Sequence, residues 1–168
     1  MPYTPEELKT LGYAENLAKS LIREHLGVLF RFKWNNRKSS FGLCDYTNRT
    51  IQLSRIMTAN QCKEQIRDTI LHEIAHALTP GAGHGPAWKR KARELGCVPR
   101  STGRVSAPGR ERLNSIAPWA LMFNDELIRV YYKRPSRTME KLDNMYMPGR
   151  MAETYGKLRI VPNPQFKK

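Results

Sequence analysis

His72-Glu73-Ile74-Ala75-His76 sets two imidazoles four residues apart with a carboxylate next to the first. On a helix, residues i and i+4 share a face, so both rings can reach one tetrahedral metal ion, and zinc is the ion this His-Glu-x-x-His spacing suits. Glu73 then stands where a general base is needed. Zinc lowers the pKa of a water it holds to about 7, and a carboxylate beside it can take the proton as hydroxide is delivered to a polarised carbonyl. The predicted chemistry is hydrolysis supported by one Zn2+.

The pattern alone recurs by chance in unrelated helices, so the surrounding periodicity matters. At about 100° per residue, Ile66, Ile70, Leu71, Ile74, Ala77 and Leu78 make one broad apolar stripe, and His72 and His76 lie almost opposite its centre. They are not histidines placed for an apolar core. A catalytic zinc takes three protein ligands and keeps one position open. Two residues are candidates for the third. His84 follows in the glycine-rich segment Gly81-Ala82-Gly83-His84-Gly85, which can fold back on the helix, whereas Glu94 would act from a later helix as in thermolysin-like enzymes. Glu94 sits among Lys89, Arg90, Lys91 and Arg93, the setting of a solvent-facing acid, so His84 is the better placed. The longer metzincin pattern fails, because Thr79 and Ala82 occupy its glycine and histidine positions. His25 suits the C-terminal end of a helix instead.

The elements that must position these groups can be read around them. Thr4-Pro5-Glu6-Glu7 has a cap, a first-turn proline and acids, and opens an amphipathic helix to about Gly27. Val28 to Trp34 alternates as a strand, Asn35 to Ser40 is a turn, and Phe41–Tyr46 and Thr50–Ser54 are two further strands, which predicts a three-stranded antiparallel meander. Thr58 and Gln61 offer a capping box for the helix that carries the histidines, which Thr79-Pro80-Gly81 stops. Pro86 starts a third helix ending at Gly96. Residues 100–116, rich in Gly, Pro, Ser and Arg, read as a linker or mobile loop; beyond them Trp119–Tyr132 and Lys157–Val161 have strand composition.

The 168 residues suffice for one core and a small appended module. Cys44, Cys62 and Cys97 are odd in number, far apart and without a Cys-x-x-Cys pair, as reduced thiols of a cytosolic protein would be. No basic, apolar leader and no membrane-length apolar run is evident, so secretion and membrane insertion are not expected. The net charge of +14 is uneven: residues 1–85 hold 11 Lys and Arg against 8 acids, and residues 86–168 hold 18 against 7. Such a surplus suits a polyanionic partner, a solvated basic face being the alternative. In the C-terminal part Arg129, Tyr131, Tyr132, Lys133, Arg134 and Arg137 mix cations with aromatics, as a surface that tracks phosphates and stacks bases requires.

His72-Glu73-Ile74-Ala75-His76-Ala77-Leu78 followed by His84-Gly85-Pro86-Ala87-Trp88 resembles the SprT-like metallopeptidases, the family of the Spartan-type DNA–protein crosslink proteases. In that family a His-Gly-x-x-aromatic segment supplies the third zinc ligand, and His84, Gly85 and Trp88 match it; Gly42, Ile51–Ser54 and Asp68–Leu71 resemble its lead-in. The resemblance spans roughly residues 5 to 97. It implies an α+β fold, a minimal zincin over residues 1–99, with Glu73 as catalytic base and His72, His76 and His84 as zinc ligands. It also implies a peptidase acting on DNA-bound proteins, in the cytoplasm or nucleoid, with single-stranded or junction-like DNA among the partners. Many relatives carry a C-terminal zinc ribbon. Residues 117–162 share its rhythm but have no cysteine, so a basic, β-rich, cysteine-free counterpart is expected over residues 117–168, for nucleic-acid binding, and no second zinc. The competing expectation is a nucleic-acid-binding protein with a structural zinc and no hydrolysis; structural sites usually close with four Cys-rich ligands, which this chain lacks around the motif.

Overall fold

The structure, a computed structural model, describes residues 3–100 and 105–167. The chain divides into two compact units, one running to Arg110 and the other from Glu111. Both mix helices with a small sheet, an α+β architecture.

In the first unit, helix α1 (Pro5–Leu26) begins with the expected reciprocal cap: the Glu7 N–H donates to the Thr4 hydroxyl at 3.2 Å, and the Thr4 N–H donates to the Glu7 carboxylate at 2.8 Å. Leu11, Ala14, Ala18, Leu21 and Ile22 line its buried face. Gly27, at φ 65°, turns the chain out through a conformation that side chains resist. Val28 and Leu29 are consequently 90% and 62% exposed and belong to this turn, not to a strand. Strand β1 (Arg31–Asn35) starts where the Arg31 N–H finds the Arg49 carbonyl at 3.0 Å.

The sheet is not the predicted antiparallel meander. Strands β2 (Gly42–Asp45) and β3 (Thr50–Ser54) form an antiparallel hairpin, but β1 pairs with β3 in parallel, giving the order β1-β3-β2. Burial explains the arrangement. All five residues of β3 are buried while β1 and β2 are largely half-exposed, so the strand able to be covered on both faces takes the centre. The connection from β1 to β2, residues 36–41, takes in most of the predicted Asn35–Ser40 turn and Phe41 of the predicted next strand, and is long enough to carry the chain past β3's position.

The approach to the next long helix also differs. The Ser54 hydroxyl accepts from the Met57 N–H at 3.3 Å and caps a single turn, α2 (Arg55–Thr58), so Thr58 ends a helix and does not begin one. Helix α3 (Lys63–Leu78) starts one turn later, with the Gln65 side chain accepting the Cys62 N–H at 3.3 Å. Ile66, Ile70, Leu71, Ile74 and Ala75 are at most 1% exposed and join α1 and the sheet in one core. Leu78, assigned to the same stripe, lies at the frayed end and is 39% exposed. Helix α4 (Pro86–Glu94) buries Trp88 and Ala92 against the opposite flank of α3. Helix α5 (Ala107–Ser115) occupies much of the stretch read as a linker, whose residues 101–104 lie outside the described residues. Ser106 accepts the Gly109 N–H at 3.2 Å, and Pro108 falls in the first turn, where no amide donor is needed; a helix start had the composition of a loop.

In the second unit β4 (Trp119–Phe123), β5 (Glu126–Tyr131) and β6 (Arg159–Pro162) form an antiparallel sheet in the order β5-β4-β6. The connection from β5 to β6 holds only single turns, α6 (Ser136–Met139), a 3-10 turn (Leu142–Asn144) and α7 (Met151–Thr154). Leu121, Phe123 and Leu158 form its core, flanked by Ile128, Tyr131, Leu142, Met145, Met147 and Ile160. The Arg150 guanidinium ties this connection to the sheet by bonding both Glu126 and Glu153.

Ile74→Ala removes a fully buried side chain from α3 and is expected to cost about 2–5 kcal/mol, whereas Val28→Ala, in the exposed turn, should change stability by less than about 0.5 kcal/mol. Urea denaturation of both variants in the presence of a chelator measures the difference.

Candidate metal centre

His72 and His76 project from α3 on the side away from Ile70 and Ile74, as the wheel requires, yet they are half-buried and not free in solvent. The cause is Trp88. Its fully buried indole lies against all three candidate ligands, with ring centroids 4.7 Å from His72, 5.2 Å from His76 and 4.6 Å from His84. A wall of aromatic carbon behind the rings restricts their rotation and leaves one side open.

The segment between α3 and α4 returns His84 to its partners. Gly81 and Gly83 adopt φ of 76° and 53°, and the Ala82 and Gly85 amides close successive turns onto the carbonyls of Thr79 and Ala82. The Nε2 atoms of His72, His76 and His84 thereby converge, at 3.3 Å between the first two and 3.1 Å from each of these to His84. Ligands about 2.0–2.1 Å from a tetrahedral zinc stand about 3.3–3.4 Å apart, so the triangle fits such an ion. Hydrogen bonds do not account for it. Each neutral imidazole has one donor and one acceptor nitrogen, and three nitrogens of a closed triangle cannot all be satisfied by one another. Burial and the neighbouring imidazoles push His72 down to about 4, and burial first, then His84, does the same to His76. Both rings are thus neutral at pH 7, with lone pairs available.

Glu73 is 8% exposed, and burial raises its carboxyl to about 7 against the opposing pull of the Cys44 N–H, which donates to it. That donor comes from β2, the edge strand, whose Cys44 lies at a position where the amide faces away from β3. Gly42, two residues earlier, leaves the room: a Cβ there would stand 2.7 Å from both Cγ and Oε1 of Glu73. The Tyr46 hydroxyl donates to the His76 carbonyl at 2.9 Å, joining the strand's far end to α3. These groups line a cleft of about 760 Å³ within the first unit, together with Asp68, Thr69 and Arg100.

Among the described residues no fourth His, Cys, Asp or Glu joins the histidine group. Glu94 stays outside it, exposed and bonded to Lys91. The sequence motif contains the ligands and Glu73, but not what holds Glu73. A glycine inside a strand is the one local sign of a close approach, and Gly42 carries it. In the second unit Arg129, Lys133, Arg134 and Arg137 are exposed. Tyr131 and Tyr132 are half-buried: Tyr131 packs on the sheet core, and the Tyr132 hydroxyl donates to the Leu113 carbonyl at 3.3 Å. Arg129 lies 5.6 Å over the Tyr131 ring and Arg134 5.8 Å over Trp119, so these aromatics already have cationic partners.

A histidine triad with an adjacent carboxylate on a helix beside a small sheet defines a metallopeptidase-like domain. The chain belongs to the SprT-like family, whose model it matches over residues 13–107, more than half its length. It is also similar to Germ cell nuclear acidic-1 protein of Caenorhabditis elegans, with 37% identity over 67 residues, 34% of this chain and 12% of the relative. The aligned part is therefore a small portion of that much longer protein. No solved structure matches the chain.

The third-ligand assignment has a direct measure in metal affinity. His84→Ala is expected to weaken zinc binding at least about tenfold in competition with a chromophoric chelator, while Glu94→Ala leaves it unchanged.

Proposed function

We propose that the protein is a zinc-dependent peptidase that cleaves proteins associated with DNA, the type of activity used to clear DNA–protein crosslinks. The observation that carries the reading is the pairing of a three-nitrogen triangle with a buried carboxylate that is oriented independently of it, by the Cys44 amide and the space at Gly42. His72, His76 and His84 would hold the ion. Zinc, when bound, supplies polarisation of the scissile carbonyl and acidification of a water.

Glu73 takes the proton of the attacking water on a carboxylate oxygen and later delivers it to the leaving amine nitrogen. Its burial favours accepting that proton, and the Cys44 N–H keeps the acceptor oxygen aimed while the charge changes. Trp88 keeps the three rings from swinging away and excludes water from behind them. The cleft is open and about 760 Å³ in volume, room for an extended peptide segment. The direction towards DNA-bound substrates is supported by family membership and by the net charge of +14. It implies work wherever the cell keeps its DNA, and Arg129, Lys133, Arg134 and Arg137 would contact phosphates.

The test is digestion of a DNA-binding protein, with and without DNA, by wild type and Glu73→Gln. Wild type should cleave, and the variant should be slower by about 10²–10⁴-fold with its zinc retained. Equal cleavage by both sinks the assignment of Glu73; no cleavage by either, with zinc bound, would leave the metal a structural one. Gly42→Ala adds a methyl where Glu73 now lies and should lower kcat at least about tenfold without loss of zinc, as stopped assays and metal analysis would register.

A further inference from the structure

The densest positive charge in the sequence directly follows the histidine-bearing segment. Residues 86–110 carry seven Lys or Arg against a single acid, Glu94, whereas residues 111–168 carry eleven against six. Helix α4 sorts its share by face. Trp88 and Ala92 point into the core at 0% exposure, and Lys91 is neutralised by Glu94. At about 100° per residue, Lys89, Arg93 and Arg90 follow one another across an arc of about 100° on the outer side. All three are exposed, and none forms an ion pair among the described residues.

This strip is continuous in the chain with the site. Helix α4 begins two residues after His84, is about 13 Å long, and is followed by Arg100, which lines the cleft shared by His72, Glu73 and His76. From this placement we infer that α4 is a nucleic-acid track: Lys89, Arg90 and Arg93 bind the phosphate backbone of DNA along the helix that leads out of the histidine-bearing segment, with Arg100 at the cleft further along the chain. The inference deepens the DNA-directed part of the function proposed above and rests on it. A duplex presents one charge per about 1.7 Å of axis, so a strip of this length meets several phosphates at once. An acidic protein fits less well. Protein interfaces need buried aromatic or aliphatic anchors, and the outer face of α4 offers cations with Pro86, Ala87 and the Lys91-paired Glu94. Binding here would bring a protein carried on DNA within reach of the site without relying on the second unit's position.

The experiment uses the full chain and fluorescence anisotropy of a labelled mixed-sequence duplex, and of the corresponding single strand, over a range of salt. The proteins are wild type, a Lys89→Ala/Arg90→Ala/Arg93→Ala variant, and an Arg129→Ala/Lys133→Ala/Arg134→Ala/Arg137→Ala variant, with zinc content and circular dichroism confirming folding. The α4 variant is expected to lose at least about tenfold in affinity at 0.1 M salt, and its plot of log K against log salt should flatten by about 2–3 on duplex, since each phosphate contact contributes about 0.9. Loss on the duplex or on the single strand alone identifies the form the track prefers and supports it. Wild-type affinity and slope in the α4 variant overturn the inference, and if the sheet variant then loses binding, the DNA-directed reading survives without it. Failure of wild type to bind either DNA overturns both. Displacement of DNA by poly-glutamate at equal charge concentration would assign the strip to an acidic protein and likewise overturn the inference.

Discussion

Three imidazole nitrogens held within 3.3 Å of one another have lone pairs that repel and too few protons to bind each other, so their convergence has to be imposed by the surrounding structure, a strain that a cation bound between them would relieve. Several elements of the first unit impose it. The core stripe of α3 against α1 and the sheet fixes the helix; Trp88 confines the rings from behind; the glycines at 81 and 83 permit the bend that returns His84. The same enclosure that restrains His72 and His76 also keeps these two rings uncharged, because burial disfavours the imidazolium form.

Glu73 is governed by a different constraint. It lies next to His72 in sequence but projects to another side of α3, where it is enclosed by an edge strand and not by Trp88. An edge strand has backbone amides unused by the sheet, and β2 uses one of them, at Cys44, to hold a carboxylate that would otherwise be buried without a donor. The glycine two residues earlier completes the fit by being absent as a side chain.

Local features of the sequence were the legible ones. The reciprocal cap at Thr4 and Glu7, the stripe through Ile66, Ile70 and Ile74, the loop glycines and Pro86 act within a few residues, and each marks its element correctly. The order of the strands was not legible, because the alternation in β1, β2 and β3 says which residues face inward but not which strand is central; that depended on β3 being covered on both sides. Val28 shows how alternation misleads beside a helix stop, and Thr58 shows a cap-forming residue type overruled by Ser54 one turn earlier. His72, His76 and His84 were legible because ligand spacing is itself a local geometry. The partners of Glu73 come from about 30 residues upstream, beyond any local pattern, with only the in-strand glycine as a trace.

That difference in range separates two parts of the candidate site. The three candidate donors span only residues 72 to 84, so the segment that brings them together is a very short loop running from α3 through its bend to α4. The carboxylate is oriented only once a distant hairpin has docked. A change in the hairpin would therefore disturb the carboxylate while leaving the histidine triangle in place.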